Sequence, residues 1–244
     1  MRFRPVGAAP SVSVVIPTLN EAQNLPHVLP RLPALVTEVI IVDGDSTDGT
    51  VDVALRLRPD ARIIRQVDRG KGSALRLGFA EARGDIIVSI DADGSTAPEE
   101  IASFVDALLD GADYVKGSRF MRGGGSTDLT ALRSSGNLAL TGLVRVLHGA
   151  RFTDLCYGYN AFWADILPSL SLRSTGFEIE TEMNLRAHHA GIRIVEVPSQ
   201  EVNRIYGVSH LRTFHDGWRV LKIILRERVR RIPMSTRLEE IVHY

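Results

Sequence analysis

The chain has 244 residues, 44% hydrophobic and 24% charged, an ordinary globular composition with enough apolar material for one sizeable core. Its 29 basic and 29 acidic residues balance, so the molecule as a whole has no electrostatic reason to coat nucleic acid, and no nucleic-acid partner is expected. Cys156 is the single cysteine, which excludes an intrachain disulfide and a zinc site built from several thiolates.

From Ser11 onward, short β-branched runs alternate with longer helical patterns. Residues 12–16 form the first predicted strand, and 21–36 is a weak helix, because Pro26, Pro30 and Pro33 each remove a backbone donor. Further strands are predicted over 39–42, 61–64 and 86–90, then at Tyr114 and Val115. The runs 39–42 and 86–88 lack polar alternation, as expected of central strands covered by helices on both faces. Between the strands, 50–57, 73–83 and 99–109 carry apolar residues at three- and four-residue intervals, with Asp48, Ser73 and Thr96 near their starts as caps. Beyond Gly117, Arg122-Gly123-Gly124-Gly125-Ser126 reads as a flexible loop suited to a mobile lid. Helical spacing returns over 129–147, and strands over 158–163 and 192–197 flank a helix over 178–189. The rhythm predicts an α/β fold with a mostly parallel central sheet and helices on both faces. No internal repeat or linker divides it; the expected organisation is a tail (1–10), one catalytic domain (11–211), and a basic C-terminal helix with its tail (212–244).

In such a sheet, ligands bind beyond the carboxyl ends of the strands, so the residues just after each apolar run are the first to inspect. These are Pro17-Thr18-Leu19-Asn20-Glu21, then Asp43 to Thr50, then Asp91-Ala92-Asp93-Gly94, then Gly117-Ser118-Arg119. Asp91 and Asp93 straddle a strand-to-turn transition, where both carboxylates can face one hard cation, Mg2+ or Mn2+, carrying a diphosphate. Asp-x-Asp alone is also an ordinary acidic turn; its place at a buried strand's end is what suggests chemistry. Asp43 can accept hydrogen bonds from a base or ribose, although its segment also has turn-forming composition. Lys71 stands between Gly70 and Gly72 at a helix start, where backbone donors and the helix dipole favour a phosphate.

In their order and spacing, P-T-x-N-E, D-x-D-S-T-D-G-T, G-K-G, D-A-D-G and G-S-R-F resemble the family 2 glycosyltransferases of the GT-A fold, over about residues 12–225. The later segments Arg133-Ser134-Ser135-Gly136-Asn137, Thr153-Asp154-Leu155, Glu196-Val197-Pro198 and Asn203 to Leu211 are similar to polyprenyl- or dolichyl-phosphate mannose and glucose synthases. The resemblance implies inverting, metal-dependent transfer of a hexose from UDP-glucose or GDP-mannose to a lipid phosphate. It further implies that Pro17, Thr18, Glu21, Asp43, Asp45 and Lys71 hold the nucleotide-sugar with Asp91, Ala92 and Asp93, and that Asp91 and Asp93 hold the metal. Arg119, Arg133, Arg204, Ser209 and His210 would receive the acceptor phosphate, a role that suits arginine's planar fork. Two departures stand out: Asp43-Gly44-Asp45-Ser46 replaces the common Asp-Asp-Gly-Ser, and His210 stands where relatives carry lysine.

Catalytic candidates are Asp93, Arg119, Glu180 and Glu182. For a hydroxyl acceptor, Glu180 or Glu182 would be the general base; a phosphate acceptor needs none, being already anionic. The rival readings are a GT-A transferase acting on a soluble or glycan hydroxyl and a noncatalytic nucleotide-sugar-binding or membrane scaffold. From Arg204 to Arg237 there are nine lysines and arginines against two acids. With Phe214, Trp218, Leu221, Ile224, Leu225 and Val229 near one helical face, this is the pattern of a helix lying on anionic lipid or packing on its own domain. No run approaches the ~18 apolar residues that span a bilayer, and the N-terminus lacks a signal peptide's apolar stretch. The expected setting is cytoplasmic, with peripheral contact to the cytoplasmic membrane face; an oligomer is compatible with the sequence.

Overall fold

The computed structural model describes residues 9–208 and 211–229; the sequence expectations for Ser209 and His210 therefore lie outside the described residues. The strands are β1 (Val12–Thr18), β2 (Glu38–Asp43), β3 (Arg62–Arg65), β4 (Ile86–Ser89), β5 (Tyr114–Ser118), β6 (Gly125–Ser126), β7 (Asn160–Trp163), β8 (Ile194–Pro198) and β9 (Gln200–Glu201). The helices are α1 (Thr50–Leu57), α2 (Lys71–Glu81), α3 (Ile101–Leu109), α4 (Ala131–His148), α5 (Leu167–Leu170), α6 (Ile179–His189) and α7 (Thr213–Val229).

Seven strands form one sheet in the order β3-β2-β1-β4-β7-β5-β8, parallel except for β7. The central strands are apolar on both faces because both faces are covered. Val14, Ile16, Ile41 and Val88 point to one side, with Phe104 and Leu108 of α3. Val15, Ile40, Val42 and Ile87 point to the other, against Leu75 and Phe79 of α2 and Met183 of α6. α2 approaches β1 and β2 so closely that a Cβ at Gly78 would lie 2.3 Å from Val15 Cγ1, which excludes any side chain there. A third apolar cluster, including Val144, Leu185, Val220 and Ile224, joins α4, α6 and α7.

Two expectations are corrected. Residues 21–36 form no regular helix: Pro26 and Pro30 sit in two short 3-10 turns, Leu25–His27 and Leu29–Arg31, because proline suits the first turn of a helix but cannot sit in its later turns. The glycine run 122–126 is tied down, since β6 pairs with β9 and a Cβ on Gly124 would lie 2.4 Å from the Ser118 carbonyl.

α7 is fastened to α6 by charge. Arg219 Nη2 lies 2.7 Å from Glu178 Oε1, and Arg226 Nη2 lies 3.0 Å from Glu182 Oε1. Arg186 Nη2 bridges Glu182 at 2.7 Å and Glu227 at 3.1 Å. Removing one partner of such a network leaves an uncompensated charge in a poorly solvated site. Replacing Arg186 with Met should therefore lower unfolding free energy by about 3–5 kcal/mol in a urea titration; a loss under ~1 kcal/mol would mean the network behaves like an exposed ion pair.

Candidate active site

The ends of β1, β2, β4 and β5 open onto one cleft of about 1020 Å³. The turns after β1 and β2 are laced together: Asn20, at φ 58°, donates its N–H to the Ser46 hydroxyl and accepts from the Thr47 N–H, each at 2.9 Å. Pro17, Thr18 and Glu21 line the cleft beside this turn pair. Asp45 also lines it, at φ 70°, with an exposed carboxylate 2.7 Å from Arg65 Nη2. Asp43, at the end of β2, is hydrogen-bonded within the same turn pair. Its oxygens accept from the Thr18 hydroxyl (3.1 Å) and the Ser46 N–H (2.9 Å), which ties the two turns together.

Beyond β4, the chain turns through Asp91-Ala92-Asp93 and reaches Gly94 at φ 75°. Asp93 Oδ1 accepts from the Ser95 N–H at 3.0 Å, which fixes the turn, and its Oδ2 lies 3.2 Å from Arg204 Nη2. Asp91 Oδ1 lies 2.7 Å from Lys71 Nζ, which also reaches Glu180 Oε1 at 2.9 Å. Each acid of the pair thus has its own side-chain cation. Burial pulls the Lys71 pKa down, but Asp91 and Glu180 together outweigh it and hold the lysine above its usual range. Burial pushes the Glu180 carboxyl up, against the pull of Lys71.

The glycines flanking Lys71 have a steric reason. A Cβ on Gly70 would lie 2.2 Å from the Thr175 carbonyl oxygen, and one on Gly72 would lie 2.6 Å from that of Ser174. Only bare backbone lets the start of α2 rest on the segment leading into α6. Arg204 closes the far side, with Nη1 2.9 Å from Glu21 Oε1. Asn24 secures this arm, accepting the Tyr206 N–H at 2.9 Å and donating to the Tyr206 carbonyl at 3.1 Å. Burial raises the Glu21 pKa despite the opposing effects of Asn24 and Arg204.

Arg119 follows β5 and lines the cleft, but its nitrogens are engaged. Nε and Nη2 reach Asp154 at 2.7 and 3.0 Å, Nη1 reaches Glu201 at 3.0 Å, and the guanidinium lies 4.6 Å from the Tyr157 ring centre. Burial opposes the Asp154 charge, yet Arg119 and Lys116 hold its carboxyl below the ordinary range. Arg133 lines the cleft from α4, only loosely paired with Asp128 at 3.4 Å. From there the wall turns apolar, with Leu129, Leu132 and Leu140 facing Leu211 and Val220.

Glu182 is a correction. Its side chain is fully buried, one oxygen lies against Arg186 and Arg226, the other accepts from the Arg173 and Ser174 N–H groups, and it does not line the cleft. It cannot reach an acceptor as a base. Of Glu178, Glu180 and Glu182, only Glu180 lines the cleft. Sequence reasoning assigned no role to Asp154, Glu201 or Gly158. Asp154 stands in the segment Thr153-Asp154-Leu155, but nothing local marks it as the partner of Arg119, and a contact 82 positions apart, Arg119 to Glu201, leaves no local signal.

Among the described residues, no group of three or more His, Cys, Asp or Glu side chains is arranged to hold a metal. Asp91 and Asp93 still fit one: Mg2+-like ions commonly take one or two carboxylates and complete their shell with waters and substrate phosphates. Arg204 already occupies Asp93, so it should compete with a metal for that carboxylate. Arg204→Gln is expected to bind Mn2+ alone about tenfold more tightly, the scale of one short-range charge interaction, by the free-Mn2+ paramagnetic resonance signal. Weaker binding would show that Arg204 does not shield the acid.

Residues 13–162 match the family described as glycosyl transferase family 2. The chain is 35% identical to the undecaprenyl-phosphate mannosyltransferase of Micrococcus luteus over 82% of its length and 87% of that protein. It is 34% identical to the polyprenol monophosphomannose synthase of Mycolicibacterium smegmatis, covering 81% of this chain and 80% of that one. Among solved structures, glucosyl-3-phosphoglycerate synthase from Mycobacterium tuberculosis with phosphoglyceric acid superposes with a TM-score of 0.70 at 26% identity, over 89% of this chain and 80% of that one. The same enzyme with Mn2+, UDP-glucose and phosphoglyceric acid gives a TM-score of 0.70 at 24% identity, over 93% and 86%. With its parallel sheet, strand-end acids and matched motifs, the chain belongs to glycosyl transferase family 2 and is a glycosyltransferase of the GT-A fold.

Proposed function

We propose that this glycosyltransferase moves a hexose from a nucleoside-diphosphate sugar to a polyprenyl phosphate, with inversion at the anomeric carbon. The observation that carries the reading is the composition of the cleft, which runs from Asp91, Asp93 and Lys71 at one end to Leu132, Leu140 and Val220 between α4 and α7 at the other. A donor diphosphate suits the first end and an isoprenoid chain the second. The names of the two curated relatives, both polyprenyl-phosphate mannosyltransferases, support the same acceptor.

In this reading an acceptor phosphate oxygen attacks the anomeric carbon from the face opposite the diphosphate. A carbon–oxygen bond forms as the bond to the donor's diphosphate breaks, and the nucleoside diphosphate leaves. The acceptor is already anionic, so no side chain need remove a proton; positioning and charge neutralisation carry the step. Asp91 and Asp93 would hold a Mg2+ or Mn2+ ion, which when bound would neutralise charge on the leaving diphosphate. Lys71 would add its ammonium at the same end. Arg133 and Arg204 would meet the acceptor phosphate, Arg204 by giving up Asp93, while Arg119 would reach it only by exchanging Glu201.

No helix among the described residues is long and apolar enough to cross a membrane. α7 nevertheless presents Phe214, Trp218, Leu225 and Val229 to solvent, at spacings that share one face, and Lys222 lies over the Trp218 ring at 5.6 Å. We place this stripe against the cytoplasmic membrane face, where a lipid phosphate would be met.

A soluble acceptor is the second reading, favoured by the likeness to glucosyl-3-phosphoglycerate synthase, with Glu180 as the acid within reach to act as a base. Incubation with radiolabelled UDP-glucose or GDP-mannose, Mn2+ and polyprenyl phosphate should carry label into an organic extract, and Asp91→Asn should reduce that transfer by about a hundredfold. Label that stays in water with phosphoglycerate as acceptor would overturn the lipid assignment, and full transfer by Asp91→Asn would overturn the site.

A further inference from the structure

We infer that Glu180 is a positioning residue for donor binding, which holds the Lys71 ammonium beside Asp91 where the donor's diphosphate arrives, and not a proton acceptor. The inference rests on the proposed donor class and assigns a role within that site.

Lys71 Nζ stands between two carboxylates, 2.7 Å from Asp91 Oδ1 and 2.9 Å from Glu180 Oε1, and Lys71 lines the cleft. An ammonium has three donors. Two are directed by these acids, which leaves the third for an oxygen entering the cleft. With Asp91 alone, the lysine would have one anchor and a flexible four-carbon stem; with Glu180, the direction of its remaining donor is set.

The chain segment before α6 enforces the same arrangement sterically. Residues 174–176 lead into α6, which carries Glu180, and their carbonyls lie where a Cβ on Gly70 or Gly72 would have to go. The turn bearing Lys71 and the helix bearing Glu180 are therefore one packed unit. Across the cleft, a Cβ on Gly158 would lie 2.8 Å from Lys71 Nζ, 3.2 Å from Asp91 Oδ2 and 3.3 Å from Glu180 Oε1. Glycine at that position leaves the space beside all three groups open.

Glu180 is also poorly placed to take a proton. Its carboxylate is almost wholly buried and bound to an ammonium. A phosphate nucleophile has no proton to give up in the step, so the proposed transfer needs no proton acceptor at this position.

Calorimetric binding of UDP, GDP and inorganic pyrophosphate in the presence of Mn2+ tests the assignment without requiring turnover. Glu180→Gln is expected to weaken the probe that the wild-type chain binds by about tenfold, the scale of a charge-assisted contact. Lys71→Met should weaken it at least as much, and the double variant should be no worse than Lys71→Met alone. Where transfer is measured, the acid limb of the kcat/KM profile should persist in Glu180→Gln. Circular dichroism identifies folded variants; if Glu180→Gln is unfolded, Gly158→Ala serves instead, since its methyl group crowds Lys71 and should produce the same loss. Unchanged probe affinity in Glu180→Gln, affinity losses that simply add in the double variant, or a wild-type chain that binds none of the probes would overturn the inference. Binding with the expected pattern but without transfer to polyprenyl phosphate would instead overturn the acceptor assignment and leave this role standing.

Discussion

Acids gathered at the carboxyl ends of parallel strands repel one another, and a cation placed beside them offsets that repulsion. This constraint organises the site. Asp91 has Lys71, Asp93 and Glu21 share Arg204, and Asp154 has Arg119. The cations come from four different places: the start of α2, the segment before α7, the end of β5 and, for the acids of α6, α7 itself. Pairing charges across such distances ties loops together that the sheet alone would leave separate. The same cations are the groups a phosphate ligand would recruit. Lys71 and Arg204 thus lie against the chain's own carboxylates, and under the proposed function a phosphate ligand would compete with those acids for them.

α6 is central to that arrangement because Glu178 at its N-cap and Glu180 and Glu182 in its first turn reach different partners. Glu178 and Glu182 reach α7 through Arg219 and Arg226, while Glu180 turns into the cleft toward Lys71. The helix is fastened to α7 on one side and reaches Lys71 in the cleft on the other. α7 in turn buries Val220, Ile223 and Ile224 against α4 and α6 and leaves Phe214, Trp218 and Val229 in solvent. Its basic residues at 219 and 226 are therefore spent on intramolecular pairing, and the charge count of the C-terminal segment overstates what remains for a lipid surface.

The fold was legible in the sequence to the extent that local periodicity governs it. Strands without polar alternation at 39–42 and 86–88 are the buried centre of the sheet, and the helices over 50–57 and 178–189 fall within a residue or so of their predicted places. Where proline chemistry competed with apolar spacing, between 21 and 36, proline prevailed. The acids at strand ends were legible because topology places them together. Their partners were not: Arg204 lies 183 residues from Glu21 and Glu180 lies far along the chain from Lys71, and no spacing rule spans such separations. Side-chain direction was also hidden. Glu180 and Glu182 are two residues apart and similar in type, yet one lines the cleft and the other is sealed among arginines and the backbone of residues 173–174. Gly70 and Gly72 read in sequence only as the glycines flanking Lys71 at a helix start; the close approach of residues 174–176, which requires them, left no local signal.

Lys71 and Arg204 hold the two acids of Asp91-Ala92-Asp93, and under the proposed function a donor phosphate is expected to meet Lys71 while Arg204 leaves Asp93. A crystal structure of the chain with Mn2+ and the nucleoside diphosphate it binds tests this exchange most directly. The diphosphate is expected at the Asp91 end of the cleft, with Lys71 within hydrogen-bonding distance of a phosphate oxygen while still on Glu180, and with Arg204 withdrawn from Asp93. A nucleotide bound with Lys71 untouched and the Arg204–Asp93 pair intact would contradict it.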